Sequence, residues 1–225
     1  MIHYNYSKEQ LEKKSEELLY RFDPERLERP KPIDVYAVIE KCLDVPYDWK
    51  YLTPDQSIYG MTVFRAGWAW VWPAPYYENG MKPVKAFFDE GTIVIDSTLT
   101  KYEYPGIENF TVMHEVFHQV LHKAAFRRIT IEDVHLTTRQ AIDGNRRRPM
   151  TSLEICEYQA NACAAAFLMP RAVVKNELKK MTASNNLIDL SDIHSDYIVR
   201  QMAHEFSVSQ SALRYRLLNL GLAVA

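Results

Sequence analysis

The feature that most constrains this chain is an HExxH motif, His114–His118, inside a segment with helical spacing of apolar residues. Residues four apart lie on one face of a helix, so both imidazoles can reach a single Zn²⁺. Glu115 lies about 100° further round the helix, where its carboxylate can contact a water on the metal rather than the metal itself. The segment 110–122 is therefore predicted to be a metal-binding helix with His114 and His118 as ligands.

A zinc site that carries out chemistry needs a third protein ligand and leaves one coordination position open for water. Downstream, residues 154–170 read EICEYQANACAAAFLMP and are rich in small side chains, which let another helix approach closely. The FTxxHExxHxxLH pattern that starts at Phe110 and the ExxAN…LMP pattern that starts at Glu157 together resemble the ImmA/IrrE family of metallopeptidases. The resemblance extends over about residues 33–222.

The resemblance implies a small zincin-like α+β domain, Zn²⁺ as the cofactor and Glu157 as the third metal ligand. Glu154, three residues earlier on nearly the same helix face, is the competing ligand, but Glu157 keeps the ExxAN register. Asn161, one turn later, is placed to steady a ligand imidazole. Mn²⁺ and Fe²⁺ stay open as alternatives, because affinity order alone does not set metal selectivity. The chain departs from the common family pattern at Val116-Phe117 and Cys163.

The function that the resemblance implies is a zinc-dependent endopeptidase acting on a protein substrate, typically a partner transcriptional repressor. In such a site Glu115 takes a proton from the attacking water and later delivers it to the leaving amine. Two alternatives stay open. One is a regulatory module that binds DNA or a repressor beside a vestigial metal site. The other is a toxin–antitoxin or abortive-infection component that uses the same chemistry on another target.

Two parts of such an active site stay undecided. The donor that stabilises the oxyanion is one of several candidates, namely His135, His194, His204 and the tyrosines. The segment 92–96, just before the metal helix, either pairs with an extended substrate as an edge strand or is an internal strand paired on both sides.

The rest of the chain predicts an α+β fold in which helices are followed by strands and then by further helices. Helices are expected over 7–22, 33–43, 110–122, 153–168 and, two or three of them, within 171–225. Strands are expected near 47–52, 58–64, 68–72, 84–89 and 92–96, with Asp89-Glu90-Gly91 as a tight turn joining the last two. Residues 123–152 are loosely patterned and are predicted to form a long connection with at most one short helix.

The order of these elements predicts three parts. Residues 1–32 form an N-terminal helix and a Pro-rich connector, residues 33–170 form a zincin-like metallopeptidase core, and residues 171–225 form a helical C-terminal subdomain.

The C-terminal segment 198–222 has the pattern of a helix-turn-helix, with Ser209 as the cap of the second helix. Arg214 and Arg216 on that helix could face phosphate. The same pattern resembles the helical tail of ImmA/IrrE proteins, where it belongs to the peptidase fold. Two arginines, in a chain with 27 basic against 29 acidic residues, are a weak electrostatic footprint for nucleic acid. Direct DNA binding is therefore disfavoured.

Two further patterns each have two interpretations. Trp68, Trp70 and Trp72 alternate with other residues, which favours a strand with one aromatic face turned to the core over a ligand platform. His122 continues the row of His114 and His118 by one turn, and it either supports the metal site or packs as an ordinary histidine.

The chain's compartment follows from its cysteines and its polar first residues. Three cysteines without CxxC spacing favour a reducing environment, and the N-terminal segment lacks the apolar region of a secretory signal. No stretch approaches the roughly 20 apolar residues that span a bilayer. We therefore expect a cytoplasmic protein without membrane contact.

Overall fold

The computed structural model of the chain describes residues 5–75, 80–101, 105–126, 135–136, 149–182 and 187–224. The described residues form the predicted α+β fold. Its helices are α1 (Lys8–Phe22), α2 (Val35–Val38), α3 (Gly106–Phe126), α4 (Ser152–Leu168), α5 (Arg171–Thr182), α6 (Ile193–Phe206) and α7 (Gln210–Asn219). Its strands are β1 (Tyr47–Lys50), β2 (Gly60–Val63), β3 (Gly67–Val71), β4 (Val84–Phe88), β5 (Ile93–Asp96), β6 (His135–Leu136), β7 (Ile188–Asp189) and β8 (Ala223–Val224). The connection predicted over 123–152 lies mostly outside the described residues.

Helix α1 begins as predicted because Ser7 and Gln10 form a reciprocal capping box. Its buried leucines pack against α4, and the close approach uses small residues on both helices. The Ser15 hydroxyl donates to the Cys163 carbonyl at 3.1 Å, and the Cys163 thiol lies 3.4 Å from the Leu11 carbonyl. Cys163, one of the departures from the family pattern, therefore occupies a tight helix–helix contact.

The helix predicted over 33–43 is only partly regular. One α-helical turn, Val35–Val38, continues as a π-helical turn over Ile39–Leu43 and ends at Asp44, whose φ is 51°. The Asp44 N–H donates to the Ile39 carbonyl, five residues back, which closes this wider turn.

The main sheet has the strand order β1-β5-β2-β6 and lies against α3. Strand β5 is parallel to β1 and antiparallel to β2, so it is paired on both sides. The interpretation of residues 92–96 as a free edge strand is therefore wrong, and the internal strand is confirmed. Its side chains alternate between two cores: Ile93 and Ile95 face the helices, whereas Val94 faces β3 and β4.

Strands β3 and β4 form a separate two-stranded sheet that packs on the outer face of β2 and β5. The turn at Asp89-Glu90-Gly91 is present, with Gly91 at φ 93° and the Thr92 N–H donating to the Asp89 carbonyl. It does not close a hairpin, because β4 and β5 belong to different sheets.

The aromatic face of β3 points away from the core, so the prediction of a buried tryptophan face is wrong. Trp68 and Trp70 are 60% and 59% exposed, whereas Ala69 and Val71 are buried. Alternation identifies two faces of a strand but not which of them is covered. The small side chains fit the narrow space against the main sheet, and the indole rings remain outside.

The C-terminal helices α6 and α7 form the predicted helix–turn–helix, and the Ser209 hydroxyl caps α7 by accepting from the Ala212 N–H. Both arginines of α7 pair with carboxylates of the chain itself. The buried Arg216 guanidinium donates to both Glu12 carboxylate oxygens and to the Met169 carbonyl. It therefore joins α7 to α1 and to the end of α4.

Arg214, the other arginine of α7, pairs with Asp196 and donates to the Leu190 carbonyl.

Among the described helices none is long and apolar enough to cross a membrane. The division at residues 32 and 170 stays a prediction.

Candidate metal centre

The HExxH motif lies in the middle of α3, which packs against α4. Small buried residues of α4, among them Ala160 and Ala164, let the two helix axes approach closely. Phe117, the bulky residue that departs from the family pattern, is fully buried and meets Phe167 edge to face. The bulky ring is thus accommodated by packing between α3 and α4.

Glu157 on α4 is brought to the two histidines of α3. Its Oε2 lies 3.2 Å from His114 Nε2 and its Oε1 lies 3.3 Å from His118 Nε2. The two Nε2 atoms are 2.9 Å apart. Glu154, the competing ligand in the sequence, forms the capping box of α4 with Thr151 instead, so its carboxylate is used at the helix start.

This geometry fits a divalent cation in size. Bonds of about 2.0–2.1 Å that meet at tetrahedral angles place ligand atoms roughly 3.3–3.4 Å apart. The three separations of 2.9, 3.2 and 3.3 Å are close to this value. His114, His118 and Glu157 are the group of residues in the described part of the chain that could hold a metal ion.

The cluster also fits a cation in its electrostatics. Both Glu157 oxygens are buried, and neither accepts a hydrogen bond within the described residues. A buried carboxylate that stays ionised without hydrogen bonds is costly unless a positive charge lies beside it. A bound cation supplies that charge.

Polar side chains contact the other ring nitrogens of the two histidines of the cluster. His114 Nδ1 lies 3.0 Å from Asn161 Oδ1, the contact expected from the sequence. His118 Nδ1 lies 3.0 Å from His122 Nδ1, and His122 Nε2 lies 3.0 Å from Gln159 Oε1. His122 is fully buried against the cluster, so of its two interpretations the structure favours the one that links it to the site.

Glu115 lies on the next face of α3, against strand β2. The Thr62 hydroxyl donates to Glu115 Oε2 at 2.7 Å, and the backbone of Gly60 lies against the same side chain. Burial raises the pKa of Glu115 to about 7, and the charge of His114 and the Thr62 hydroxyl offset this only in part. A carboxyl with a pKa near neutrality can both accept and return a proton at physiological pH.

Sequence reasoning missed Thr62 and Gly60. One signal was available: glycine inside a strand pattern often marks a close approach of another group to the backbone. Thr62 gave no signal, because threonine is common in strands and its partner is 53 residues away along the chain.

Three histidines are among the candidates for the oxyanion donor. His194 and His204 both lie on α6 with exposed side chains. The side chain of His135 lies outside the described residues.

Fold and site together define a zincin-like α+β domain with a His-His-Glu group suited to a metal ion. The family model of the IrrE N-terminal-like domain, which describes the M78 peptidases, matches residues 78–218. This match covers more than half of the chain, so the chain belongs to the ImmA/IrrE family and carries a metallopeptidase-type domain. No curated protein matches the chain.

Proposed function

We propose that the chain is a zinc-dependent endopeptidase that hydrolyses a peptide bond in a protein substrate. The observation that carries the proposal is the convergence of one atom each from His114, His118 and Glu157, with the Glu115 carboxylate on the next face of the same helix. Two imidazoles and one carboxylate are the protein ligands of many catalytic zinc sites, which keep a fourth position for water or substrate.

In this proposal His114, His118 and Glu157 hold the ion. When bound, a Zn²⁺ ion supplies Lewis acidity, which lowers the pKa of water and polarises the scissile carbonyl. Glu115 accepts the proton of the attacking water and then delivers it to the leaving amine. The Thr62 hydroxyl keeps the Glu115 carboxylate in one orientation, so that the proton is transferred at a fixed position.

The proposed substrate is a partner transcriptional repressor in the cytoplasm. Support comes from membership of the ImmA/IrrE family. The alternative of a DNA-binding module loses its main support, because Arg216 is buried and Arg214 is paired. The DNA-binding alternative predicts salt-dependent DNA binding that is unchanged by a chelator.

The proposal is tested with the variant Glu115→Gln. This variant should bind one zinc ion per chain, as the wild type does, but should lose cleavage and retain its substrate in a pull-down. Glu108→Gln, on the same helix but hydrogen-bonded to Tyr36, is the matched control and should cleave normally. Cleavage by Glu115→Gln at the wild-type rate would remove Glu115 from its role, and absence of bound metal in the wild-type protein would overturn the zinc site.

A further inference from the structure

The inner side of the metal cluster is a row of three buried side chains. His118 turns Nε2 towards Glu157 and Nδ1 away from it, towards His122. His122 in turn directs Nε2 to the side-chain carbonyl of Gln159. All three side chains are buried, so each hydrogen bond in the row has to be made by one defined donor and one defined acceptor.

The direction of these hydrogen bonds follows from the last member. A carbonyl oxygen only accepts, so His122 Nε2 has to carry the proton that it donates to Gln159. A neutral imidazole has one protonated nitrogen, which leaves His122 Nδ1 as an acceptor. His118 Nδ1 then has to be the donor at 3.0 Å. The remaining nitrogen of His118, Nε2, therefore keeps its lone pair, and it faces Glu157.

The opposite direction would disable the site. If His118 Nδ1 were the acceptor, the proton of this imidazole would sit on Nε2 and point to the position where the ligand atoms converge. A protonated Nε2 cannot bind a metal ion. The difference between a competent and an incompetent ligand therefore depends on Gln159, the far member of the row.

We propose that His122 and Gln159 form a tautomer relay that holds His118 with its Nε2 lone pair directed at the metal. His122 and Gln159 are positioning residues, and the relay rests on the proposed function only in that the cluster binds a metal ion. Asn161 performs the same task for His114 in a single step at 3.0 Å. His118 needs two steps because it lies deeper, fully buried between the helices.

The first experiment compares two replacements of His122. His122→Phe keeps most of the volume but removes the acceptor for His118, and it should weaken Zn²⁺ binding by roughly 10–100-fold. His122→Asn loses volume but places an amide oxygen near His118 Nδ1 as an acceptor. This variant should bind Zn²⁺ within a factor of about three of the wild type. If His122 only fills space, the order reverses, because Phe then preserves the packing and Asn leaves a cavity. That reversed order would overturn the relay.

The second experiment needs neither metal nor substrate. Ring-nitrogen NMR of the metal-free protein should find His118 protonated at Nδ1 in the wild type and mixed between the two tautomers in His122→Phe. Gln159→Glu, which keeps an acceptor oxygen, should retain the wild-type tautomer, whereas Gln159→Met should lose it. A wild-type His118 protonated at Nε2 would overturn the relay.

The two experiments separate the relay from the proposed function. A wild-type protein that binds Zn²⁺ but cleaves nothing would contradict the peptidase proposal and leave the relay supported by the affinities of the His122 variants. A wild-type protein that binds no metal would overturn the metal site and the relay together, because the relay holds His118 for that metal. Circular dichroism of each variant checks that it is folded.

Discussion

Replacement of Gly60 by alanine tests whether the position of Glu115 controls catalysis. Gly60 begins strand β2 and lies directly against the Glu115 side chain. A Cβ atom at this position would be 2.7 Å from Glu115 Oε1, 2.8 Å from its Cγ and 3.0 Å from Thr111 Cγ2. Ordinary van der Waals contacts begin at 3.4 Å, so the carboxylate has to move by about 0.7 Å to restore one, the difference between 3.4 and 2.7 Å.

Little space is available for that movement. Glu115 is only 3% exposed and its other oxygen accepts from Thr62 at 2.7 Å. Overpacking of this kind costs about 1–3 kcal/mol of stability. A displacement approaching 1 Å at a catalytic group can cost up to about 100-fold in rate. We therefore expect Gly60→Ala to lower kcat by roughly 10–100-fold while zinc affinity stays unchanged, because the three atoms nearest the new Cβ belong to Glu115 and Thr111 and not to the proposed metal ligands.

The assay measures cleavage of the protein captured by the Glu115→Gln variant, together with zinc content and thermal unfolding. Gly67→Ala is the matched control, because a Cβ there would have the Arg65 carbonyl at 3.9 Å as its nearest neighbour. The control should cleave at the wild-type rate. Wild-type kcat in folded Gly60→Ala would refute the assigned role of Glu115, and loss of zinc in that variant would show that the effect acts through the metal ligands instead.

Three further perturbations test the site and its support. Thr62→Val removes a hydrogen bond that lowers the pKa of Glu115, so this pKa should rise above about 7. The acidic limb of the kcat/KM profile should then move up by roughly one to two pH units, whereas Thr62→Ser should leave the limb in place. Removal of zinc by a chelator should lower the free energy of unfolding by about 2.7 kcal/mol relative to protein with free zinc at 100 times its Kd. The measurement is a fall in Tm that added zinc reverses. Glu12→Ala leaves the Arg216 guanidinium buried without its carboxylate. The variant should lose about 3 kcal/mol of stability in urea unfolding and keep its zinc affinity. A loss below about 1 kcal/mol would contradict the structural role of this pair.

Local sequence signals were sufficient wherever neighbours along the chain decide the structure. The start of α1 depends on Ser7 and Gln10, and the end of α4 on Met169-Pro170, and both boundaries lie within a residue of the prediction. The spacing of His114 and His118 likewise required them to share a helix face. The π-helical turn after Val38 was missed, because its defining hydrogen bond depends on how the chain leaves the helix.

The choice of Glu157 over Glu154 illustrates the limit of spacing. The two residues are three apart on nearly the same face, and only the register of a known family pattern separated them. In the structure the difference is physical, since the first turn of α4 uses Glu154 as a cap and the second turn brings Glu157 to the histidines.

By itself the sequence determined a helix with two histidines and a glutamate in fixed relation, a second helix of small residues with a carboxylate, and strands between them. Only the tertiary structure decided what each of these elements faces. It placed Thr62 against Glu115, covered β5 on both sides, and left the indoles of Trp68 and Trp70 in solvent. The physical reason is that periodicity along a chain fixes which residues share a face, whereas the partner of that face is set by packing between segments far apart in sequence.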